Sequence, residues 1–575
     1  MSIAKRLPYP AASRTFAPGR SVAGAIVIVG IGFITVTPII YVLIFSFDVA
    51  EVGAPYRFGT ESWREIFTNE KTWSSVLYSF GLAVRVPLAT CVGFAIAWLL
   101  VRVSIPGSRV FELAFWFTFL LPSLPLLLGW TLLLDANYGL VNLVLMKLPF
   151  VTGPVFSIYS AAGIVWVHMA MTTVPIMVIL LSPSLRQLDR AYEDAAEMSG
   201  AGLAMRLKRI TIPLVFPAIA TAFILSLIRS LEAFEVERVL GTPVNINVYS
   251  TRIYDFISLE PPEFPQAMAL SCLFLVILLA LAICYQRYLD RAGDRSVITG
   301  RGAHLPVMQR ARWHYVASAL LWVYLAVTLL LPLVFLILGS LTELFGFFFT
   351  PDPWTVSHWK AVFADSRFIG SAVTSMILGL AVGIIGILIF SLVAWLLVRT
   401  TIAGRGTVSV MIWLPWAIPG LVLGVTLLSL ILETPGLSLL YGTIIPLLLA
   451  LLIKELPVGV QLLRTAVGQV SAQLEDAAVM SGAGFMTVYR RITLPLVAPM
   501  LVSVFLLIFA GTLRDIGTIV LIATPGTQTM SLLMFEFAVS GQLESAAVIG
   551  VIVAVVCTAV TSISLRIGRR VSIRG

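Results

Sequence analysis

Long apolar runs separated by short polar connections constrain this chain more than any other feature. A helix that crosses a bilayer needs about 20 consecutive, mostly apolar residues, and twelve segments meet that requirement. The chain is 59% hydrophobic and only 12% charged, about half the charged fraction of a typical soluble domain. The sequence therefore predicts an all-α, polytopic membrane protein with twelve transmembrane helices. The predicted spans are 22–47, 76–101, 110–133, 157–182, 212–231, 265–286, 315–340, 370–398, 408–432, 439–463, 495–513 and 543–565.

The basic residues are concentrated in alternate connections between these spans. If the N-terminus is inside, the inner connections collect most of the Lys and Arg residues, including those at 186–209, 287–312 and 566–574. The clearest connection on the opposite side, 232–263, is acidic. Because cytoplasmic loops of membrane proteins carry such an excess of Lys and Arg, we predict that both termini are cytoplasmic. The net charge of +9 then reflects orientation in a lipid bilayer, and no nucleic-acid partner is expected.

The chain contains an internal repeat. The sequence Ala-Trp-Leu-Leu-Val-Arg occurs at 97–102 and again at 394–399, and the segment 193–202 returns 282 residues later as 475–484. An even number of spans in each copy gives both copies the same orientation, as in a parallel repeat about an axis along the membrane normal. We therefore divide the chain into two homologous six-helix halves, 1–290 and 315–575, and a cytoplasmic linker, 291–314.

The repeated segment is much less apolar than the neighbouring spans and lies on the predicted cytoplasmic side. In each copy, helix-forming residues with early Glu and Asp precede Gly-Ala-Gly, which permits a left-handed turn that ends a helix. A short basic helix follows, and a Pro then starts the next span. Two such segments on a twofold-like scaffold suit docking onto a twofold-symmetric soluble partner.

Both segments resemble the EAA loop of binding-protein-dependent ABC importer permeases, written E-A-A, three residues, G, nine residues and I-x-L-P. Here Asp194 and Asp476 replace the Glu, and Ile212 replaces the Leu in the first copy. The resemblance implies that these loops couple the chain to two copies of a cytoplasmic ATPase, and that a periplasmic or extracellular solute-binding protein delivers the solute. The implied coupling residues are Glu193, Asp194, Ala195, Ala196, Gly200, Gly202, Glu475, Asp476, Ala477, Ala478, Gly482 and Gly484.

The chain has no G-x-x-x-x-G-K-[ST] phosphate-binding loop. ATP and Mg²⁺ are therefore expected on the partner ATPase, with no cofactor and no enzymatic activity on this chain. The resemblance implies a location in the bacterial cytoplasmic (inner) membrane. A membrane-embedded enzyme is disfavoured because His168, His304, His314 and His358 are scattered along the chain. An ion-driven secondary transporter would leave the paired loops unexplained.

Within this family, a fused double permease looks most like the ferric-iron importer permeases; aminoethylphosphonate, thiamine, polyamine and sulfate permeases are the alternatives. Glu232 and Glu235 lie at the predicted outer end of the fifth span and offer the oxygen ligands that hard cations favour. Arg514 and Asp515 lie at the corresponding place in the second half. We predict that these four residues line the substrate pathway, without a resident metal site. Glu237 is expected in a solvated loop end.

Charged residues inside spans are costly and should face the bundle interior. We expect Arg229 to pair with Glu232, and Lys454 to neutralise its neighbour Glu455. Arg85 is a further charge within a span. Five prolines in the predicted spans should kink or break helices near the pathway. They are Pro87, Pro122, Pro125, Pro415 and Pro419.

Overall fold

A computed structural model describes residues 20–50, 55–292, 313–400 and 405–572. These residues are predominantly helical, with two isolated β-bridges that join Asp48 to Phe58 and Thr342 to Trp354. The predicted all-α class is confirmed. Most of the predicted linker, 291–314, and the basic segment before Arg20 lie outside the described residues.

The helices of the first half follow the predicted order, with additional short helices between the spans. They are α1 (Arg20–Phe45), α2 (Glu61–Thr68), α3 (Glu70–Leu82), α4 (Arg85–Arg102), α5 (Ser108–Leu120), α6 (Ser123–Leu134), α7 (Leu140–Leu145), α8 (Ala161–His168), α9 (Val174–Gln187), α10 (Ala191–Met198), α11 (Leu203–Arg206), α12 (Ile212–Leu231), α13 (Tyr249–Ser258) and α14 (Phe264–Ala292).

The second half repeats this order. Its helices are α15 (His314–Leu325), α16 (Leu331–Gly339), α17 (Ser357–Ala364), α18 (Ser366–Arg399), α19 (Arg405–Trp413), α20 (Gly420–Glu433), α21 (Ile445–Gln469), α22 (Ala472–Met480), α23 (Phe485–Val488), α24 (Leu494–Arg514), α25 (Met530–Val539) and α26 (Leu543–Ser572). The sequence analysis did not predict α13 and α25, which lie between the fifth and sixth spans of each half.

Many of these helices are long and apolar enough to cross a bilayer. Within the part of the chain that the structure describes, nine helical stretches meet this test, or eleven if each of two bent pairs counts as one span. Helix α1 lies where the first span is predicted. The multi-span prediction is confirmed, and the exact number of twelve stays a prediction.

The third span of each half is broken, so the spans predicted over 110–133 and 408–432 each consist of two helices. Helices α5 and α6 meet at 100°, and the corresponding pair in the second half meets at 99°. A residue before proline is pushed out of the helical region. Leu121, before Pro122, is accordingly extended (ψ 147°), and so is Ile418 (ψ 115°), which precedes Pro419. The predicted helix-breaking effect of these prolines is confirmed.

Prolines also explain where π-helical turns, which are wider than α-helical turns, occur in the chain. Each of the five π-helical turns that the structure describes ends two residues before a proline. Proline has no N–H and its ring crowds the carbonyl four residues earlier, so a wider turn relieves the clash. Two of these turns, Leu207–Thr211 and Tyr489–Thr493, occupy matching positions at the start of the fifth span in each half.

The first span of each half packs against the broken third span of the other half. Helix α16 approaches α6 so closely that a Cβ atom at Gly129 would lie 2.0 Å from the carbonyl oxygen of Pro332. On the opposite side α1 packs on α19 and α20, and the Tyr41 hydroxyl donates a 2.6 Å hydrogen bond to Glu433. Each half thus packs one of its spans against the other half. Because interiors are close-packed, these contacts hold the two halves together.

Candidate functional site

The repeated polar segments form two matching loops, called loop 1 (residues 189–211) and loop 2 (residues 471–493). In loop 1, α10 is followed after one residue by Gly200, whose φ is 81°, and in loop 2, α22 is followed in the same way by Gly482, whose φ is 86°. The N–H of Ala201 donates to the carbonyl of Ala196 (2.9 Å), and Ala483 makes the same bond (3.0 Å) in loop 2. This is the Schellman arrangement in which glycine ends a helix. The predicted left-handed turn is confirmed.

One glutamate in each loop fastens the loop to the membrane-spanning helices. Glu193 is buried; it accepts a 2.7 Å hydrogen bond from Thr211, and its carboxylate lies 3.5 Å from the Arg102 guanidinium. Arg102 also donates to the Leu188 carbonyl (2.9 Å). These contacts join the loop to the end of α4 and to the start of the fifth span.

Loop 2 repeats this fastening. Glu475 accepts a 2.6 Å hydrogen bond from Thr493 and lies 3.0 Å from Arg399, which also donates to the Val467 carbonyl at 2.9 Å. Both glutamates were predicted to couple the chain to an ATPase. Because the structure turns their side chains into the bundle, the role that fits them is to position the loops.

The other predicted coupling residues lie on the outer surface of the loops, in contrast to the two buried glutamates. Ala196 and Ala478 are half-buried, and the others in this set are exposed. The structure adds Met198 and Met480, whose side chains are 91% and 84% exposed. An apolar side chain with almost no protein cover, at the same point of both loops, indicates a contact surface. The sequence carried a signal for it, because both copies of the repeat contain Met at this position. The predicted coupling residues that are exposed here are Asp194, Ala195, Gly200, Gly202, Asp476, Ala477, Gly482 and Gly484.

The predicted pathway residues of the second half lie where α24 ends. Arg514 reaches into the first half, where it donates a 2.8 Å hydrogen bond to the Phe119 carbonyl. Asp515 accepts from the backbone N–H of Thr518 (3.0 Å) and contacts the Lys454 ammonium. The sequence paired Lys454 with Glu455, whereas the structure pairs it with Asp515.

The pathway residues of the first half lie at the matching end of α12. Arg229 and Glu232 approach to 3.6 Å, as predicted, and the Arg229 guanidinium lies 5.9 Å from the ring centre of Trp416 in the other half. Glu235 accepts a hydrogen bond from Ser123. Each fifth span therefore ends against the broken third span, within its own half or across the interface.

These two groups form one set of charges, called the central charge cluster. Glu235 interacts electrostatically with Asp515, Lys454 and Arg514, and Glu455 interacts with charges from both halves. The structure thus brings together all four predicted pathway residues. The cluster carries both signs of charge at the interface between the halves. Its members are Arg229, Glu232, Glu235, Lys454, Glu455, Arg514 and Asp515.

The prediction for Glu237 is wrong. Its side chain is 1% exposed and contacts both Arg85 at 3.0 Å and His168 at 2.9 Å. Arg85 also donates a 2.7 Å hydrogen bond to the Ser230 carbonyl. The sequence showed that Arg85 places a costly charge within a span. Its partner was not, because Glu237 lies 152 residues further along the chain.

Comparison with known proteins assigns both halves of the chain, including the segments that form the two loops, to one family. The family described as "Binding-protein-dependent transport system inner membrane component" matches residues 89–294 and 391–573, one match in each half and together more than half of the chain. The chain belongs to this family. The predicted resemblance to ABC importer permeases is confirmed, and each half of this permease contains one match.

Individual relatives of this permease differ in the solute that their names state. The "Ferric transport system permease protein FbpB" of Actinobacillus pleuropneumoniae is 24% identical over 395 residues, which cover 67% of this chain and 56% of the relative. The "Putative 2-aminoethylphosphonate transport system permease protein PhnU" of Salmonella choleraesuis (strain SC-B67) is 26% identical over 247 residues, 42% of this chain and 85% of the relative. The chain spans about half the length of the ferric relatives that it matches.

A solved structure also resembles part of this permease. It is the crystal structure of a bacterial alginate ABC transporter in complex with its alginate pentasaccharide-bound periplasmic protein. One of its chains is 18% identical, with a TM-score of 0.37, over 44% of this chain and 94% of that chain.

Proposed function

We propose that one copy of this chain forms the complete membrane pathway of an ABC importer and docks onto two cytoplasmic ATPase subunits. Loop 1 and loop 2, with their matching exposed methionines, carry this proposal. Two equal loops on one chain supply both contacts that a twofold-symmetric ATPase pair requires. The excess of Lys and Arg on their side of the bundle supports a cytoplasmic location for them, and a solute-binding protein would dock at the opposite face.

The fastening of each loop supports a mechanical role in transport. Glu193 and Glu475 tie their loops to the start of the fifth spans. The first of these spans runs 29 residues, Leu203–Leu231, or about 43 Å at 1.5 Å per residue. The central charge cluster lies at its far end. A displacement of a loop by the ATPase is therefore transmitted along a continuous helix to the interface between the halves.

For the solute, we propose ferric iron. The fused halves and the names of the ferric relatives support this choice, and the carboxylates of the central charge cluster offer oxygen ligands for a hard cation. The cations of the same cluster favour a second candidate, a zwitterion with an anionic group such as 2-aminoethylphosphonate. In either case the ion pairs must open as the solute passes, because their charges otherwise satisfy one another.

Neutralising the cluster tests whether it lines the pathway. We expect Glu232→Gln combined with Asp515→Asn to lower uptake by about tenfold or more, since Arg229 and Lys454 each lose a partly buried partner. Radiolabelled ferric iron and 2-aminoethylphosphonate would be compared as solutes, and co-purification of the ATPase would be measured in parallel.

The exposed Glu70 at the start of α3 provides a matched control, Glu70→Gln, which should leave uptake unchanged. Loss of uptake with normal ATPase binding supports the pathway. Wild-type uptake in the double variant would show that the cluster is not on the route. The preferred solute of the wild type decides between iron and the phosphonate.

A further inference from the structure

A cavity of about 220 Å³ lies beside loop 1. It is partly open and is lined by loop 1, the end of α4 and Trp313, the residue before α15, so that it joins the two halves on the face that carries the loops. Its volume is many times what one water molecule needs. The lining residues that matter for binding are Trp98, Arg102, Arg190, Glu193, Asp194, Arg206 and Trp313.

Several hydrogen-bond donors in this lining have no acceptor. The Trp98 indole N–H, the Nε and Nη1 atoms of Arg102 and the Nε atom of Arg206 are buried without a hydrogen-bond partner. Arg102 is only 4% exposed. Its ion pair with Glu193, at 3.5 Å, is longer than an ordinary hydrogen bond. Because buried polar groups are almost always hydrogen-bonded, the cavity is short of acceptors.

The cationic side chains that carry most of these unpaired donors favour an anion as the source of the missing acceptors. Each of the three guanidinium groups in the lining contacts one carboxylate, and the partner of Arg206 is Glu197. Glu193 binds Thr211 and Arg102, while Asp194 lies 3.1 Å from Arg190. The charges of the lining are therefore paired, but guanidinium N–H groups remain without an acceptor, and an anion forms stronger hydrogen bonds to such donors than a neutral acceptor does.

The second half fills the corresponding space with its own side chains. Trp395, the counterpart of Trp98, lies 3.4 Å from Glu475 through its indole nitrogen. The rings of Phe485 and Tyr489 pack on it with centroid distances of 4.4 and 5.0 Å. These rings occupy the positions of Leu203 and Leu207, and Val488 stands in place of Arg206. The first half therefore has a cavity and the Arg206–Glu197 ion pair where the second half has aromatic rings and valines.

We propose that this cavity binds a phosphate group, carried by an anionic phospholipid headgroup or supplied as free inorganic phosphate. Guanidinium groups bind phosphate oxygens with charge-assisted, often bidentate hydrogen bonds. Basic pockets between membrane-spanning helices on the inner side bind lipid phosphates in this way. Trp313, 41% exposed at the rim, suits the interface between lipid and water. A bound phosphate would link α4, loop 1 and the first span of the second half.

Thermal unfolding of the full chain in nanodiscs tests this site. The wild type would be measured in phosphatidylcholine alone, in phosphatidylcholine with phosphatidylglycerol, and in phosphatidylcholine with millimolar inorganic phosphate against chloride at equal ionic strength. We expect either phosphatidylglycerol or inorganic phosphate to raise the Tm of the wild type by at least about 2 °C. A shift with phosphatidylglycerol identifies the lipid as the source, and a shift with inorganic phosphate identifies the free ion.

The second half of the chain supplies the variant that removes the site. Leu203→Phe, Arg206→Val and Leu207→Tyr together copy its filling and should abolish the shift, as should Arg206→Gln alone. The control Arg209→Gln removes an exposed cation of the same loop outside the lining and should keep the shift. If the triple variant does not fold, Arg206→Gln decides. The proposal is overturned if neither addition stabilises the wild type, or if the lining variants respond as the wild type does.

Discussion

Replacing Gly200 and Gly482 by valine is expected to abolish solute-stimulated ATP hydrolysis while the protein still inserts into the membrane. Both glycines have a φ near +80° and an otherwise open surrounding, so the backbone alone causes the defect. The left-handed conformation costs an L-residue about 1–2 kcal/mol, and a β-branched side chain is a true outlier there. The turn would then unwind, and the exposed methionine beside it would be displaced. ATPase activity of the assembled importer, with and without loaded binding protein, measures the effect.

The same loops contain matched controls. Gly202 and Gly484 have ordinary φ values of −66° and −71°, and a Cβ atom at either would meet open space. Gly202→Ala with Gly484→Ala keeps the backbone conformation and adds only one methyl group to each loop surface, so the stimulated activity should stay close to that of the wild type. Normal stimulation in the Gly200→Val, Gly482→Val protein would refute the role given to the loops.

Removing Arg85 is expected to produce the largest loss of stability in the chain. Arg85→Met leaves Glu237 buried beside His168 without its permanent cation. Breaking a buried ion pair by deleting one partner costs about 3–5 kcal/mol, so we expect little folded protein. Monodisperse yield and thermal unfolding in detergent would measure this loss.

The second half shows how the loss can be repaired. By the repeat, Arg85 corresponds to Val382 and Glu237 to Ile519, and both of these are fully buried. Arg85→Val with Glu237→Ile should recover most of the stability, since a buried pair replaced by well-packed apolar residues is often neutral or better. If the double variant were as unstable as Arg85→Met, the cost would arise from packing and not from the unpaired charge.

Features set by local sequence could be predicted for this chain. Apolar run length located the spans, because the bilayer requires a fixed number of helical residues. The turn at Gly200 followed from glycine's freedom at positive φ. The pairing of Arg229 with Glu232 followed from their three-residue spacing on a helix.

Features that depend on the packing of distant segments could not be predicted. Prolines indicated that the third spans break, but hydropathy carries no information on the right angle between their parts. The burial of Glu193 requires an arginine from another helix, and Glu237 was misplaced in solvent because both of its partners lie far away in the sequence. The cavity beside loop 1 depends on the absence of aromatic side chains that only the second half supplies.

The central claim is that each of the two loops contacts one ATPase subunit. Photo-crosslinking in the assembled importer tests it most directly. A photoreactive residue would replace Met198, Met480 or both, with Phe349, 73% exposed between α16 and α17, as the control position. The account predicts that either methionine position labels the ATPase, that the control does not, and that the doubly substituted chain yields a product with one copy of this chain and two of the ATPase. A complex with two copies of this chain per ATPase pair, or an ATPase that neither position labels, would contradict it.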